Sequence, residues 1–329
     1  MPRATLSDVH VNALLTNILV GWMQRMDAFV STNVFPVVPV TKRSDQYAEF
    51  DRDDFLRIAA RERKPGTPAA VGGFDVDTTA TYSVTRYDVA YKLPDDIRNN
   101  QDVPISLERG GMRWIAQQLR MLFDKIWADA YFKVSVWDGD QTGVSSSPST
   151  DQFLQFDQSG SQPIETIRKQ MTDMEEKTGY RPNRLVLGSH TWRIIQDHTD
   201  LLDRIKQVQR GIMTSDILAS VLELEKVVIA RSTETTSRKA AGTTTTAYQV
   251  DGRAMALYYA APSPQIDMPS AGYTFSWTGL GPGPEGQRVK QWRDERVESD
   301  MFEGAMALDH KVVAGALGRF FATAVGATA

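Results

Sequence analysis

The stretch from residue 41 to residue 65 limits the folds open to this chain more than any other. Thirteen of its positions are charged: Lys42, Arg43, Asp45, Glu49, Asp51, Arg52, Asp53, Asp54, Arg57, Arg61, Glu62, Arg63 and Lys64, with the two signs interspersed. Ions leave water only at high cost unless each is paired, so a run this dense belongs at a surface. Pro36 and Pro39 before it enforce an extended path. Pro65, Gly66, Pro68, Gly72 and Gly73 after it mark a turn region. From Thr79 to Tyr91 the pattern is strand-like, rich in Thr, Tyr and Val. These features predict a long two-stranded excursion with a polar tip. An isolated ribbon is marginal in water, so it should gain stability by lying across this chain's own body or across another subunit. Its mixed signs suit a partner of mixed charge. Lys42, Arg43, Asp45, Arg52, Asp53, Asp54, Arg57, Arg61, Arg63 and Lys64 are the candidate inter-subunit contacts.

On either side of the excursion the pattern is helical. Over 6–30, Leu14, Ile18 and Trp22 share a stripe with Leu15 and Leu19 beside it, and Ser7 is placed to cap. This helix either packs on its own domain or docks as an arm on a neighbour. Over 105–132, Ile115, Leu119, Leu122 and Ile126 follow a 4, 3, 4 spacing, widened by Trp114, Phe123, Trp127 and Tyr131. Pro104 suits a first turn, while Gly110–Gly111 weakens it. Residues 138–162, rich in Gly, Ser, Gln and Asp, are expected to form a loop.

An α/β segment follows. Ile164, Ile167, Met171 and Met174 form a helical stripe ended by Gly179. Leu185–Leu187 is a short buried strand, and Ser189 is expected to cap a helix carrying Trp192 and Ile195. A helix over 215–224 precedes a strand at Lys226–Arg231, and 232–247 is expected to be a flexible loop. Tyr248–Val250, Ala254–Ala260 and Tyr273–Thr278 look like strands, Gly279–Gly286 a turn, and the remainder to Phe321 strand-like.

Several function classes are disfavoured. The 329 residues carry 37 basic and 41 acidic side chains, a net charge of -4, which argues against coating nucleic acid by charge, although a basic patch can hide within a balanced total. Cysteine is absent, which removes disulfides and thiolate zinc sites. No apolar run is long enough to span a membrane, and Asn12, Asn17, Gln24 and Arg25 break up any secretory signal.

The motif matches fail on their mechanics. Gly281-Pro-Gly-Pro-Glu-Gly286 spells a dinucleotide fingerprint, but Pro282 and Pro284 remove backbone donors and no helix pattern follows. Ser189 lacks the glycines of a nucleophile elbow. His190 and His198 are spaced by eight, not the four that puts two ligands on one helix face. Asp51–Asp54 and Asp138-Gly139-Asp140 do not continue into a calcium loop. No catalytic residue, cofactor or metal is expected.

The order of parts resembles that of tailed-bacteriophage major capsid proteins of the HK97-like fold, an α+β architecture. Thr41–Pro94 looks like the extended E-loop, Ile105–Phe132 like the spine helix of the P-domain, and Pro163–Ala261 like the A-domain, with Asn183–Trp192 as strand, turn and helix. Val289–Val313 looks like strands returning to the P-domain. The resemblance implies an N-terminal arm at 1–36, an E-loop at 37–95, a P-domain at 96–162, an A-domain at 163–286 and a C-terminal return at 287–329. It implies self-assembly through pentamers and hexamers into an icosahedral shell around double-stranded DNA, with no sequence-specific contact and no membrane. Separate scaffolding, portal or decoration proteins would be its other partners. It places the protein in the virion, assembled in the host cytoplasm. The alternative is an encapsulin-like cellular shell around a cargo enzyme. Isopeptide cross-linking is not carried over, because no partner for Lys42 or Lys64 is marked by a motif.

Overall fold

The computed structural model describes residues 24–327, apart from 48, 51–53, 55, 100–106, 206–212, 238–244, 264–267 and 282–286. The chain begins with a 3-10 turn at Met26–Ala28 and a one-turn helix α1 (Ser31–Val34). Strand β1 (Val37–Val40) leads into a ribbon of β2 (Ser44–Gln46), β3 (Glu49–Phe50), β4 (Val76–Asp77) and β5 (Thr81–Ser83). Then come β6 (Thr85–Pro94), α2 (Asp95–Asn99) and the long helix α3 (Leu107–Tyr131). Strands β7 (Gln141–Val144) and β8 (Gln152–Leu154) precede α4 (Pro163–Thr178), β9 (Arg184–Gly188), α5 (Ser189–Gln196), α6 (Thr199–Ile205) and α7 (Ser215–Leu222). The chain ends through β10 (Lys226–Ala230), β11 (Thr233–Thr235), β12 (Thr246–Tyr248), β13 (Met255–Tyr258), β14 (Gly272–Trp277), β15 (Arg288–Asp294), β16 (Ser299–Val312) and β17 (Gly318–Ala322).

Two sheets organise these parts. The first is built on β16. Strand β6 lies along one edge, from Ser299↔Pro94 to Leu308↔Thr85. Along the other edge β15 covers Ser299–Ala305 and β14 covers Leu308–Val312, with β1 parallel outside β14. Period-two alternation gives β16 two apolar faces. Phe302, Met306 and Leu308 meet Ile115, Leu119 and Phe123 of α3, while Ala305 and Ala307 meet Tyr82, Val84, Tyr273 and Phe275. Two glycines allow the helix to settle so close. A Cβ on Gly304 would lie 2.3 Å from Ile115 Cγ2, and one on Gly111 would lie 2.2 Å from the Tyr91 ring. Gly111, a weak point by helix propensity, is therefore a contact point.

The second sheet runs β10-β9-β13-β17-β7-β8. Leu185 and Leu187 of β9 bury against Ile167, Met171, Trp192, Ile195, Leu218 and Leu222, which draws α4, α5 and α7 onto one face. Helix α4 ends as its sequence predicts: Gly179 takes φ 76°, and its N–H donates to the Glu175 carbonyl at 2.8 Å. The end of α3 joins the two sheets. Tyr131 is fully buried and donates to the carbonyls of Tyr273 (2.7 Å) and Lys311 (3.1 Å) in the first sheet. Its own carbonyl accepts from Tyr258 Oη (3.1 Å) of the second sheet and from Trp137 Nε1 (2.8 Å).

Several local expectations need correction. Residues 138–162 are not a plain loop, since β7 and β8 extend the second sheet. Their composition hides this because Gly143 is required there: a Cβ would come 2.1 Å from the Thr323 carbonyl oxygen. Residues 232–247 contain a short hairpin, β11 with β12. Ser189 does not cap α5; Gly188 holds that place, and Ser189 Oγ donates to the Ala230 carbonyl, tying β9 to β10. Most of the helix expected over 6–30 lies outside the described residues, and its last residues, 24–30, form only the 3-10 turn. The turn at 282–286 also lies outside them.

Candidate assembly surface

The ribbon leaves the first sheet through an aromatic root. Tyr82 stacks on Phe275 with ring centroids 4.7 Å apart, and Tyr47 tilts onto the same ring at 5.4 Å. The Ser83 amide donates to Asp309 at 2.8 Å, and Trp277 Nε1 to the Thr41 carbonyl at 3.0 Å. Partial burial raises the pKa of both Tyr47 and Glu49 above their ordinary values, with the Glu49 charge adding to the Tyr47 shift. Beyond this root the ribbon loses its support. Every residue from 56 to 79 is exposed. The tip is not purely polar: Ile58 is 89% exposed and Val71 97%, and Leu56, Phe74 and Val76 are also open to solvent. Single exposed apolar side chains are ordinary, but five on one projection make it a candidate contact surface.

The charged candidates fall into three groups. Lys42 pairs with Asp45 at 2.7 Å, which raises the lysine pKa and lowers that of the carboxylate. Arg43 donates to the Val84 carbonyl (3.0 Å), Asp54 accepts the Asp75 amide (2.9 Å), and Arg63 donates to the Thr67 carbonyl (2.6 Å). These side chains hold the ribbon's own shape. Arg57, Arg61 and Lys64 are exposed, with no ion pair among the described residues. Arg52 and Asp53 lie outside the described residues.

A buried carboxylate on α3 is a feature that sequence reasoning missed. Asp124 is fully buried and accepts three hydrogen bonds, from the amides of Val30 (2.9 Å) and Ser31 (2.8 Å) and from Ser232 Oγ (2.5 Å). It satisfies the first amides of α1 and so fixes where the N-terminal segment meets α3. The signal was available: an acid three and four residues before Trp127 and Ala128, on the buried side of the helix.

Among the described residues the histidines do not form a nucleophilic or metal centre. Ser161 Oγ lies 3.0 Å from His198 Nε2, but His198 Nδ1 accepts the Asp200 amide at 3.1 Å. The ring is thus a neutral donor to the serine, whereas a general base would need its Nε2 free to accept. Asp200 accepts the Ile164 amide at the start of α4 (3.3 Å). His190 presents its ring edge-on to Tyr248.

No family model matches the chain. Over 226 residues, 67% of this chain and 68% of the relative, it is 25% identical to the major capsid protein of Burkholderia phage BcepMu. A solved phage-related protein from Bordetella bronchiseptica aligns with a TM-score of 0.68 at 17% identity, covering 98% of this chain and 99% of that one. The capsid of cyanophage P-SCSP1u aligns at 0.60 and 10% identity, covering 98% and 95%. The holo-SrpI encapsulin complex from Synechococcus elongatus aligns at 0.57 and 9% identity, covering 99% and 98%. Phage capsid and encapsulin thus share this fold, and the sequence relationship lies on the phage side. The chain has the mixed helix-and-sheet fold of phage capsid proteins and is similar in sequence to a phage major capsid protein over two thirds of its length.

Proposed function

We propose that this chain is a major capsid protein, a structural subunit that assembles with copies of itself into an icosahedral shell around a double-stranded DNA genome. The observation that carries this reading is the sequence relationship to a phage major capsid protein, on a chain that aligns in fold with a phage capsid over 98% of its length. It also accounts for the ribbon, since a 56–79 projection with exposed apolar and basic side chains gains little as part of a lone monomer.

In this reading 37–95 is the E-loop and α3 is the spine helix of the P-domain. The A-domain centres on 163–286 and draws in β7, β8 and β17, which share its sheet. The ribbon tip lies over the next subunit in a pentamer or hexamer, so each interface is heterologous and closes a ring. Arg57, Arg61 and Lys64, which have no ion pair among the described residues, are the candidates with charge to spare for a neighbour. Single exposed ion pairs contribute about 0–1 kcal/mol each, so the apolar side chains Ile58, Val71 and Phe74 supply the larger share. Scaffolding, portal or decoration proteins are further partners. The shell forms in the host cytoplasm and persists in the virion.

The test is electron microscopy of the purified full-length chain and of a variant lacking Ser44–Gly73. Closed particles from the first, and small oligomers from the second, support the reading. Normal shells from the deletion variant would remove the ribbon's role.

A further inference from the structure

We propose that Arg109, Arg113 and Arg120 form a phosphate-contacting stripe that holds the first half of α3 against double-stranded DNA. The spacings of four and seven residues place the three side chains within about 40° of one another around the helix, along a line about 16 Å long. Arg109 and Arg113 are exposed and Arg120 half-buried. Among the described residues neither Arg113 nor Arg120 has an ion pair or a side-chain hydrogen bond. On the neighbouring strands and on α2 the pattern is the opposite: Arg86 meets Asp88 and Glu303, Arg98 meets Glu108 and Asp300, and Arg293 meets Asp95 and Asp300.

Along the stripe itself no acid intervenes, since Ala116 and Gln117 fill the gap. The next residue on that side, Asp124, is buried and taken up by the N-terminal segment. The helix macrodipole places its positive end beside Arg109.

The chemistry fits a partner of uniform negative charge. A shallow groove beside the stripe, lined by Glu108, Met112, Val289 and Phe302, offers a peptide partner as the competing reading. That groove reaches Arg109 and Arg113 but not Arg120, which lies about 10 Å further along the helix. A polyphosphate backbone spans the whole stripe, whereas a peptide seated in the groove does not. The two faces of the first sheet also divide the work. The ribbon's root packs on the Ala305 and Ala307 face, and α3 covers the Phe302 and Met306 face. A subunit built this way can address its neighbours from one side and the shell's contents from the other. The inference rests on the capsid reading only for the source of the DNA.

The experiment titrates a short mixed-sequence DNA duplex against the full-length protein at several salt concentrations, for the wild type and for R109Q/R113Q/R120Q. Particles of both are counted by electron microscopy. Loss of three phosphate contacts should lower the slope of log affinity against log salt by about 2.7 and weaken low-salt binding by at least about tenfold, with particles still formed. R113Q alone, which removes no ion pair or side-chain hydrogen bond among the described residues, should lower the slope by about 0.9 and covers the case of a triple variant that does not fold. Unchanged slopes overturn the proposal. So does a triple variant that binds DNA as before but no longer assembles, since the stripe is then a subunit contact. The DNA titration decides the stripe whether or not wild-type particles form, so its failure is distinguishable from a failure of the capsid reading.

Discussion

Two buried polar residues set the stability of the joint between α3 and the rest of the chain. Asp124→Ala leaves the Val30 and Ser31 amides and the Ser232 hydroxyl without their acceptor, and hydrogen bonds to a charged group contribute about 1.5–3 kcal/mol each. Because these bonds share one carboxylate, a net loss of about 3 kcal/mol is expected, read as a lower midpoint in denaturant unfolding. His310 acts through pH. It lies among Phe123 and Tyr131 of α3 with its Nδ1 2.9 Å from Thr274 Oγ1, and burial pulls its pKa down to about 3 from an ordinary 6.5. The folded state therefore keeps the ring neutral, and protons favour the unfolded chain. This contribution is complete above about pH 6.5 and is lost as pH falls toward 3. Comparison with His310→Gln should show the wild type's stability dropping more steeply over that range; parallel curves would contradict the assignment. Neither residue's role was readable from composition. The spacing of Asp124 to Trp127 signals that it faces inward, but its partners, like that of His310, come only from the meeting of segments about 90 and 36 positions apart.

At the scale of elements, local signals were legible where local chemistry decides. The stripe on α3, the glycine that ends α4 and the apolar β9 are all present. The paired ribbon is present too, in β2 with β5 and β3 with β4. What escaped were β7, β8 and the β11–β12 hairpin, strands of three or four residues that gain order from their neighbours rather than from their own pattern. The polar tip was half right, because Ile58, Val71 and Phe74 stand among the charges. This distinction can be measured. Replacing Ile58 and Val71 with Ser should leave the unfolding free energy of the unassembled chain within about 0.5 kcal/mol, as exposed sites do, while raising the concentration needed for assembly. Replacing Tyr82, at the stacked root, should instead destabilise the chain by about 3 kcal/mol through loss of a buried aromatic.

For the whole molecule, the charge-rich ribbon matters because of what it is attached to. A balanced net charge and missing catalytic motifs restrict the function, but they do not name it. The order of parts suggests a shell subunit, and the fold together with the sequence relationship makes that the best-supported reading. How subunits pair was not legible in one chain, since the receiving surface belongs to another copy. The most direct measurement is electron microscopy of the purified full-length protein expressed alone and with the phage proteins encoded beside it. Closed shells with fivefold and sixfold clusters of subunits, each bridged by the 56–79 ribbon of a neighbour, are the predicted result. Monodisperse monomers under both conditions, at concentrations well above those of an infected cell, would contradict the account.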